Sequence, residues 1–306
     1  MRYSLLVPCY NARKYIDGFI DNINQLKQSF DEVLFYDDAS TDDTVQLLLS
    51  KGLRVIEGET NKGPGYARNK LVENTICDWF HFHDIDDRLR PDYLTKVARL
   101  AERGEADVIL CNVNWYDSQS EKLVLSWEYS DTLINDNAVV YTIAHPIGGI
   151  NGLYRKSKFI ETGGFNTGIR IWEDADLHVK LAGKNARFNV IEEDLSYSLR
   201  YPESASADQR TGWNIRAGLL QEYYETFKDQ TIRAEIGKQA QVVASKFILL
   251  QQYAHAKKML QLSELCKVKV PYNQSKLWGI IKMVTPSSFR IRLRIMQLKV
   301  AFNKTI

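Results

Sequence analysis

The chain has 306 residues, 44% of them hydrophobic and 25% charged, with a formal net charge of +2. This is the composition of a globular chain long enough to bury its own core, and it excludes a disordered or fibrous protein. The four cysteines (Cys9, Cys77, Cys111, Cys266) are scattered without C-x-x-C spacing, which argues against a disulfide framework or zinc site and for a reducing cytoplasm.

In chain order, Tyr3–Val7 reads as a strand, and 12–28 carries helical spacing through Tyr15, Phe19, Ile23 and Leu26. A strand over 32–36, a helix over 44–50 and a strand over 53–56 follow. A helix over 66–75 and a strand over 79–83 come next. Pro91 stands where a first-turn proline opens a helix to about Glu102, ahead of a strand over 108–112. This β-α-β rhythm predicts an α/β fold, a mostly parallel sheet flanked by helices. Residues 116–200 are less regular. From about Asp208 the strand signals stop, and helices are expected over 212–227, 232–251 and 253–265. The domain reading is therefore 1–205 for an α/β catalytic domain and 206–306 for a helical region with a basic tail.

In an open α/β sheet, ligands sit beyond the carboxyl ends of the strands. Each of the first four strands delivers polar groups to that edge. They are Pro8-Cys9-Tyr10-Asn11, Asp37-Asp38-Ala39-Ser40-Thr41, Asn61 through Arg68-Asn69, and Asp84-Ile85-Asp86-Asp87. Two carboxylates at i and i+2 past a strand can reach a ribose hydroxyl and a divalent cation together, or form only a solvated acidic turn. Asp38 can accept from a pyrimidine imide N–H, or its segment can be a helix-capping turn. Tyr10 can stack on that base or pack. Arg68 serves the base, a phosphate or the surface. Further on, Trp172-Glu173-Asp174 opens a helix. A carboxylate there can act as a general base, or simply complement the helix N-terminus.

These blocks, with Gly163-Gly164-Phe165, resemble the family-2 glycosyltransferases of GT-A fold over about residues 1–205. The resemblance implies an inverting transferase that moves a sugar from a nucleotide-sugar, a UDP-sugar, to a glycan or lipid-linked glycan acceptor. It implies nucleotide contacts from Pro8, Tyr10, Asn11, Asp38 and Arg68, Asp84 near the ribose, Asp86 on Mn2+ or Mg2+, and Asp174 as catalytic base. Trp172 and Glu173 fall on its acceptor side; apart from the resemblance, Trp115, Trp127 and Trp172 can each serve as a sugar-stacking platform or pack as ordinary hydrophobic side chains. Many relatives carry a metal-binding histidine after the last core strand, where this chain has Tyr201. The implied setting is surface polysaccharide synthesis (capsule, O-antigen or lipopolysaccharide outer core) on the cytoplasmic side of the membrane.

Two rivals come from other classes. His81, His83, Asp84 and Asp86 make a faint metal-hydrolase signature. A non-catalytic nucleotide-sugar-binding protein is the second. No nucleic-acid partner is expected.

The body of the chain is acidic because the tail is not. From Leu265 to Ile306 there are nine Lys or Arg and no Asp or Glu, leaving 31 basic against 38 acidic residues elsewhere. Leu277, Ile280, Ile281 and Val284 have helical spacing, whereas Phe289–Ile295 alternates with period 2. The tail is expected to pack on the acidic body, to form a homo-oligomer contact, or to meet an anionic membrane peripherally. No window reaches the ~20 apolar residues of a membrane-spanning helix.

Overall fold

The computed structural model describes residues 1–148, 151–200, 208–270 and 285–303. They divide into two compact units, Met1–Thr142 with Pro146–Ser204, and Ile143–His145 with Ala205–Ile306.

In the first unit, β1 (Tyr3–Cys9), β2 (Glu32–Asp37), β3 (Arg54–Glu57) and β4 (Trp79–Phe82) run parallel in the order β3-β2-β1-β4. The sheet continues through β8 (Gly152–Arg155), β6 (Val108–Asp117), β9 (Phe188–Arg200) and the short β5 (Arg88–Leu89), with β7 (Leu123–Trp127) on the flank of β6. β8 is antiparallel to both neighbours, and β9 is parallel to β6. The helices of this unit are α1 (Ile16–Asn24), α2 (Thr44–Ser50), α3 (Pro64–Asn74), α4 (Tyr93–Ala101), α5 (Asp131–Asp136), α6 (Ala138–Ala144), α7 (Lys156–Glu161) and α8 (Glu173–Gly183).

Alternation along each strand sends side chains to two cores. Leu5, Val7 and Phe35 join Phe19, Tyr93 and Val97 under α1 and α4. Leu6, Leu34, Phe80 and Phe82 join Leu71, Phe165 and Leu177 under α3 and α8. Both faces are covered, so the first strands are apolar throughout.

The expected elements are present with local differences. The helix expected over 12–28 is a 3-10 turn at Arg13–Tyr15 followed by α1. It stops early because the Lys27 amide donates to the Pro91 carbonyl at 2.7 Å instead of continuing the helix. Pro91 lies ahead of α4, whose N-cap is Asp92. β6 runs on to Asp117 because β7 and β9 pair along it.

The second unit is helical: α9 (Gln209–Thr226), α10 (Gln230–Leu249), α11 (Tyr253–Leu265) and α12 (Ser287–Asn303). Asp208 accepts from the Thr211 amide, and Asp229 from those of Thr231 and Ile232, capping α9 and α10. The period-2 stretch at Phe289–Ile295 is therefore helical, not extended. Tyr201 and the stretch 277–284 lie outside the described residues. Among the described residues, no helix is long and apolar enough to cross a membrane.

Candidate active site

The carboxyl ends of β1, β2 and β4 set the site. The Asp38 amide donates to the Cys9 carbonyl at 2.8 Å, which joins the β1 and β2 turns. Asn11 strengthens that join from a left-handed backbone, φ 50°. Its side-chain oxygen accepts from the Thr41 amide at 2.8 Å, and its own amide donates to Ser40 Oγ at 2.8 Å. Asn is among the residues that tolerate this conformation. Pro8 is half-buried, whereas Tyr10 is 49% exposed and projects no packing onto the core.

Asp38 is buried, and its two oxygens accept from the amides of Lys62 at 2.9 Å and Gly63 at 2.7 Å. Its carboxylate thus clamps the loop entering α3. Gly63 has φ +92°, and Pro64 follows at the helix start. Asp37 caps its own turn by accepting from the Ser40 amide at 2.8 Å.

α3 then carries Arg68 into the interior, where it is buried. One guanidinium nitrogen donates to Asp84 at 2.9 Å. The other donates to Glu173 and Asp174, each at 3.1 Å. The Phe165 ring lies 5.4 Å from the guanidinium carbon. Arg68, expected at the base or a phosphate, faces three carboxylates, which outweigh its burial and hold its proton more firmly than in a free arginine. The sequence could not show this, because Glu173 and Asp174 lie 105 and 106 positions away.

The three carboxylates differ in access. Side-chain exposure is 9% for Glu173, 26% for Asp174 and 39% for Asp84. Asp174 and Asp84 can meet a ligand, while Glu173 serves to hold Arg68. Trp172, the α8 N-cap, is half-buried in the left-handed region at φ 71°, a costly conformation for a bulky side chain. Behind Asp174, the buried His178 faces the Asp174 carbonyl through Nδ1 at 2.7 Å and the Tyr154 hydroxyl through Nε2 at 3.0 Å.

A glycine and an asparagine fix the loop that leads to this acidic helix start. Asn69 accepts from the Phe165 amide at 2.9 Å and donates to the Phe165 carbonyl at 3.1 Å. Gly164, at φ +77°, passes so close that a Cβ there would lie 2.5 Å from Asn69 Oδ1. Asn69 was read only as part of a block; its two-ended grip on Phe165 appears in the fold alone.

Beyond β4, burial and then the neighbouring Asp84 push the Asp86 carboxyl up to about 6. Asp87, buried, is likewise raised well above the usual carboxylate range, by burial and then by Asp86 and Asp84, and accepts from Ser198 Oγ at 2.6 Å. Such crowded carboxylates suit a cation. Among the described residues, no group of three or more His, Cys, Asp or Glu side chains is placed to hold a metal by itself. One acidic ligand completed by substrate phosphate and water matches the habit of Mg2+ and Mn2+, so Asp86 fits that ion.

The hydrolase reading of His81 and His83 fails. Both imidazoles point to one face of β4, but that face is the core under α1 and α4, and both rings are buried. His81 Nδ1 faces the Gly152 carbonyl at 2.9 Å and the Tyr93 hydroxyl at 2.8 Å. Burial pushes both rings down to about 3, holding them neutral. Trp115 and Trp127 pack on each other across β6 and β7, centroids 5.2 Å apart.

The comparisons with known proteins agree with this geometry. Residues 4–163 match the profile of Glycosyl transferase family 2. An uncharacterized glycosyltransferase of Haemophilus influenzae is 26% identical over 76% of this chain and 80% of its own length. The poly(ribitol-phosphate) beta-N-acetylglucosaminyltransferase TarS of Staphylococcus aureus is 30% identical over 47% of this chain, a match spanning only 26% of TarS. The minor teichoic acid biosynthesis protein GgaA of Bacillus subtilis is 26% identical over 73% of this chain and 53% of its own length. The crystal structure of TarS 1–349 in complex with UDP-GlcNAc superposes with TM-score 0.73 at 20% identity, covering 100% of this chain and 92% of that one. That likeness establishes a shared GT-A fold. With the profile spanning more than half its length, the chain belongs to glycosyl transferase family 2.

Proposed function

We propose that the chain transfers a sugar, with inversion, from a UDP-sugar to a hydroxyl of a cell-envelope polymer or its lipid-linked precursor. The observation that carries this reading is the sharing of one buried guanidinium by Asp84 and Asp174. On this reading Asp84 is the donor-side and Asp174 the acceptor-side carboxylate, and one cation holds the two together. UDP-GlcNAc in the TarS complex and the teichoic acid polymers in the names of the relatives support the substrate class.

The residues act as follows. Tyr10 offers a face for the base, and Asp38 holds the loop that frames it. Asp84 is within reach of the ribose. Asp86 would hold Mg2+ or Mn2+, which offsets the charge of the departing diphosphate. Asp174 takes the proton of the acceptor hydroxyl as its oxygen attacks the anomeric carbon. The bond from that carbon to the phosphate oxygen breaks on the opposite face, and UDP departs with the electron pair. The ion pair with Arg68 requires Asp174 as a carboxylate, the form a base needs.

A thermal-shift panel of nucleotide sugars with Mn2+ tests the donor. The true donor raises Tm by mass action. If no UDP-sugar or UDP shifts Tm, while another nucleotide does, the donor assignment is overturned.

A further inference from the structure

The tail helix α12 presents two unlike faces. On a helix, the period-2 pattern of Phe289–Ile295 cannot gather its apolar residues on one side. It spreads them over two. Ile291 and Leu298, seven residues apart, are buried on the side that packs against α10 and α11. Arg290 is also turned inward and pairs with Glu264 at 3.1 Å. At the other end of α12, Lys299 sits 3.6 Å from the centre of the Tyr253 ring. These two contacts lock α12 antiparallel to α11.

The other side is left bare. Phe289, Met296 and Val300 are 52%, 58% and 52% exposed, and with the half-buried Leu293 they step by four, three and four residues. That spacing is one continuous stripe of a helix. Arg292, next to Leu293 in the chain, is exposed, and so are Lys267 and Lys269 just beyond α11. The whole stretch from Leu265 to Ile306 contains nine basic residues and no acidic one. A protein partner for such a stripe would need matching acids. An anionic lipid surface supplies both a negative field and an apolar layer beneath it.

We propose that α12 is a peripheral membrane-binding helix, which lays Phe289, Leu293, Met296 and Val300 into the headgroup boundary of an anionic bilayer. The exposed Arg292, Lys267 and Lys269 then supply positive charge toward the phosphates. Each basic residue close to such a surface strengthens binding about fivefold at low salt, and the gain shrinks as salt shortens the Debye length.

Sedimentation of the full chain with vesicles of phosphatidylcholine alone, or with one quarter phosphatidylglycerol, tests this. The expected result is at least tenfold stronger binding to the anionic vesicles at low salt, most of it lost in 0.5 M salt. The triple variant Phe289→Ser, Met296→Ser, Val300→Ser alters only exposed positions, and its Tm is expected to match that of the parent. It should lose at least tenfold in vesicle binding. Because all four native cysteines are buried, a polarity-sensitive dye on Met296→Cys reports the stripe directly and should shift blue with anionic vesicles only. Full-length chain left in the supernatant with anionic vesicles at low salt overturns the proposal. So does a folded triple variant that sediments like the parent. If the stripe instead joins two copies, light scattering shows a dimer that the triple variant dissociates, without vesicle binding, and the lipid assignment is wrong.

Discussion

Arg68 on α3 donates to Asp174 at the start of α8 at 3.1 Å, and with the same guanidinium holds Asp84 at 2.9 Å. One buried cation thereby fixes the separation of two carboxylates to which the proposed mechanism assigns different halves of the reaction. The arrangement fits a site in which donor and acceptor must meet with little tolerance.

Removing that cation leaves Asp84, Glu173 and Asp174 facing one another. Arg68→Ala is expected to destabilise the fold by about 3–5 kcal/mol, the cost of breaking a buried ion cluster from one side. Urea denaturation measures it. Arg68→Lys keeps the charge but cannot reach all three carboxylates, and should fall between. A stability loss below about 1 kcal/mol for Arg68→Ala would mean that the cluster is loosely held.

Asp174→Asn keeps the shape of the side chain and removes its basicity. Turnover should fall by roughly 10²-fold or more while donor affinity stays close to the parent value. Donor affinity that collapses with turnover intact would make Asp174 a structural partner of Arg68 alone.

Asp86→Ala removes the carboxylate that burial and Asp84 have already pushed up to about 6. Stimulation of turnover by Mn2+ should vanish, with a fall of roughly 10²-fold or more. Chelator-treated parent enzyme that works at full rate would contradict the assignment of Asp86.

Burial pushes His178 down to about 4. Its folded pKa is below the unfolded value of about 6.5, so the unfolded chain binds more protons as pH falls and the folded state loses stability. Above pH 6.5 this effect is absent. His178→Gln cannot titrate, so the stability gap between parent and variant should shift in the variant's favour by roughly 2 kcal/mol from pH 6.5 to 5. Denaturation midpoints at several pH values check this. A gap independent of pH would mean that His178 is protonated alike in both states.

Much of this was legible before the fold was known. The strand ends could be read because a continuous apolar run followed by Asp, Ser, Thr or Asn marks where a strand meets the sheet edge, as at Cys9-Tyr10-Asn11 and Asp37-Asp38. The long helices α10 and α11 were legible from apolar periodicity. What resisted reading was the choice of partner. Asp38 clamps the amides of Lys62 and Gly63, and local sequence cannot tell that from a carboxylate open to a ligand. The His81/His83 pair showed the same limit from the other side. Alternation along a strand puts both rings on one face of β4, but which face is covered depends on α1 and α4. The period-2 tail pattern gave way to a helix because α10 and α11 offer it a partner.

The central claim is inverting transfer from a UDP-sugar, and the anomeric configuration of the product tests it most directly. Proton NMR of the product formed from an α-linked UDP-sugar, UDP-GlcNAc first, on a polyol-phosphate polymer with Mn2+ reads the coupling of the new anomeric proton. The account requires a β-linked sugar formed in step with UDP release, and loss of that signal in Asp174→Asn. An α-linked product, or a β-linked one made undiminished by Asp174→Asn, would contradict it.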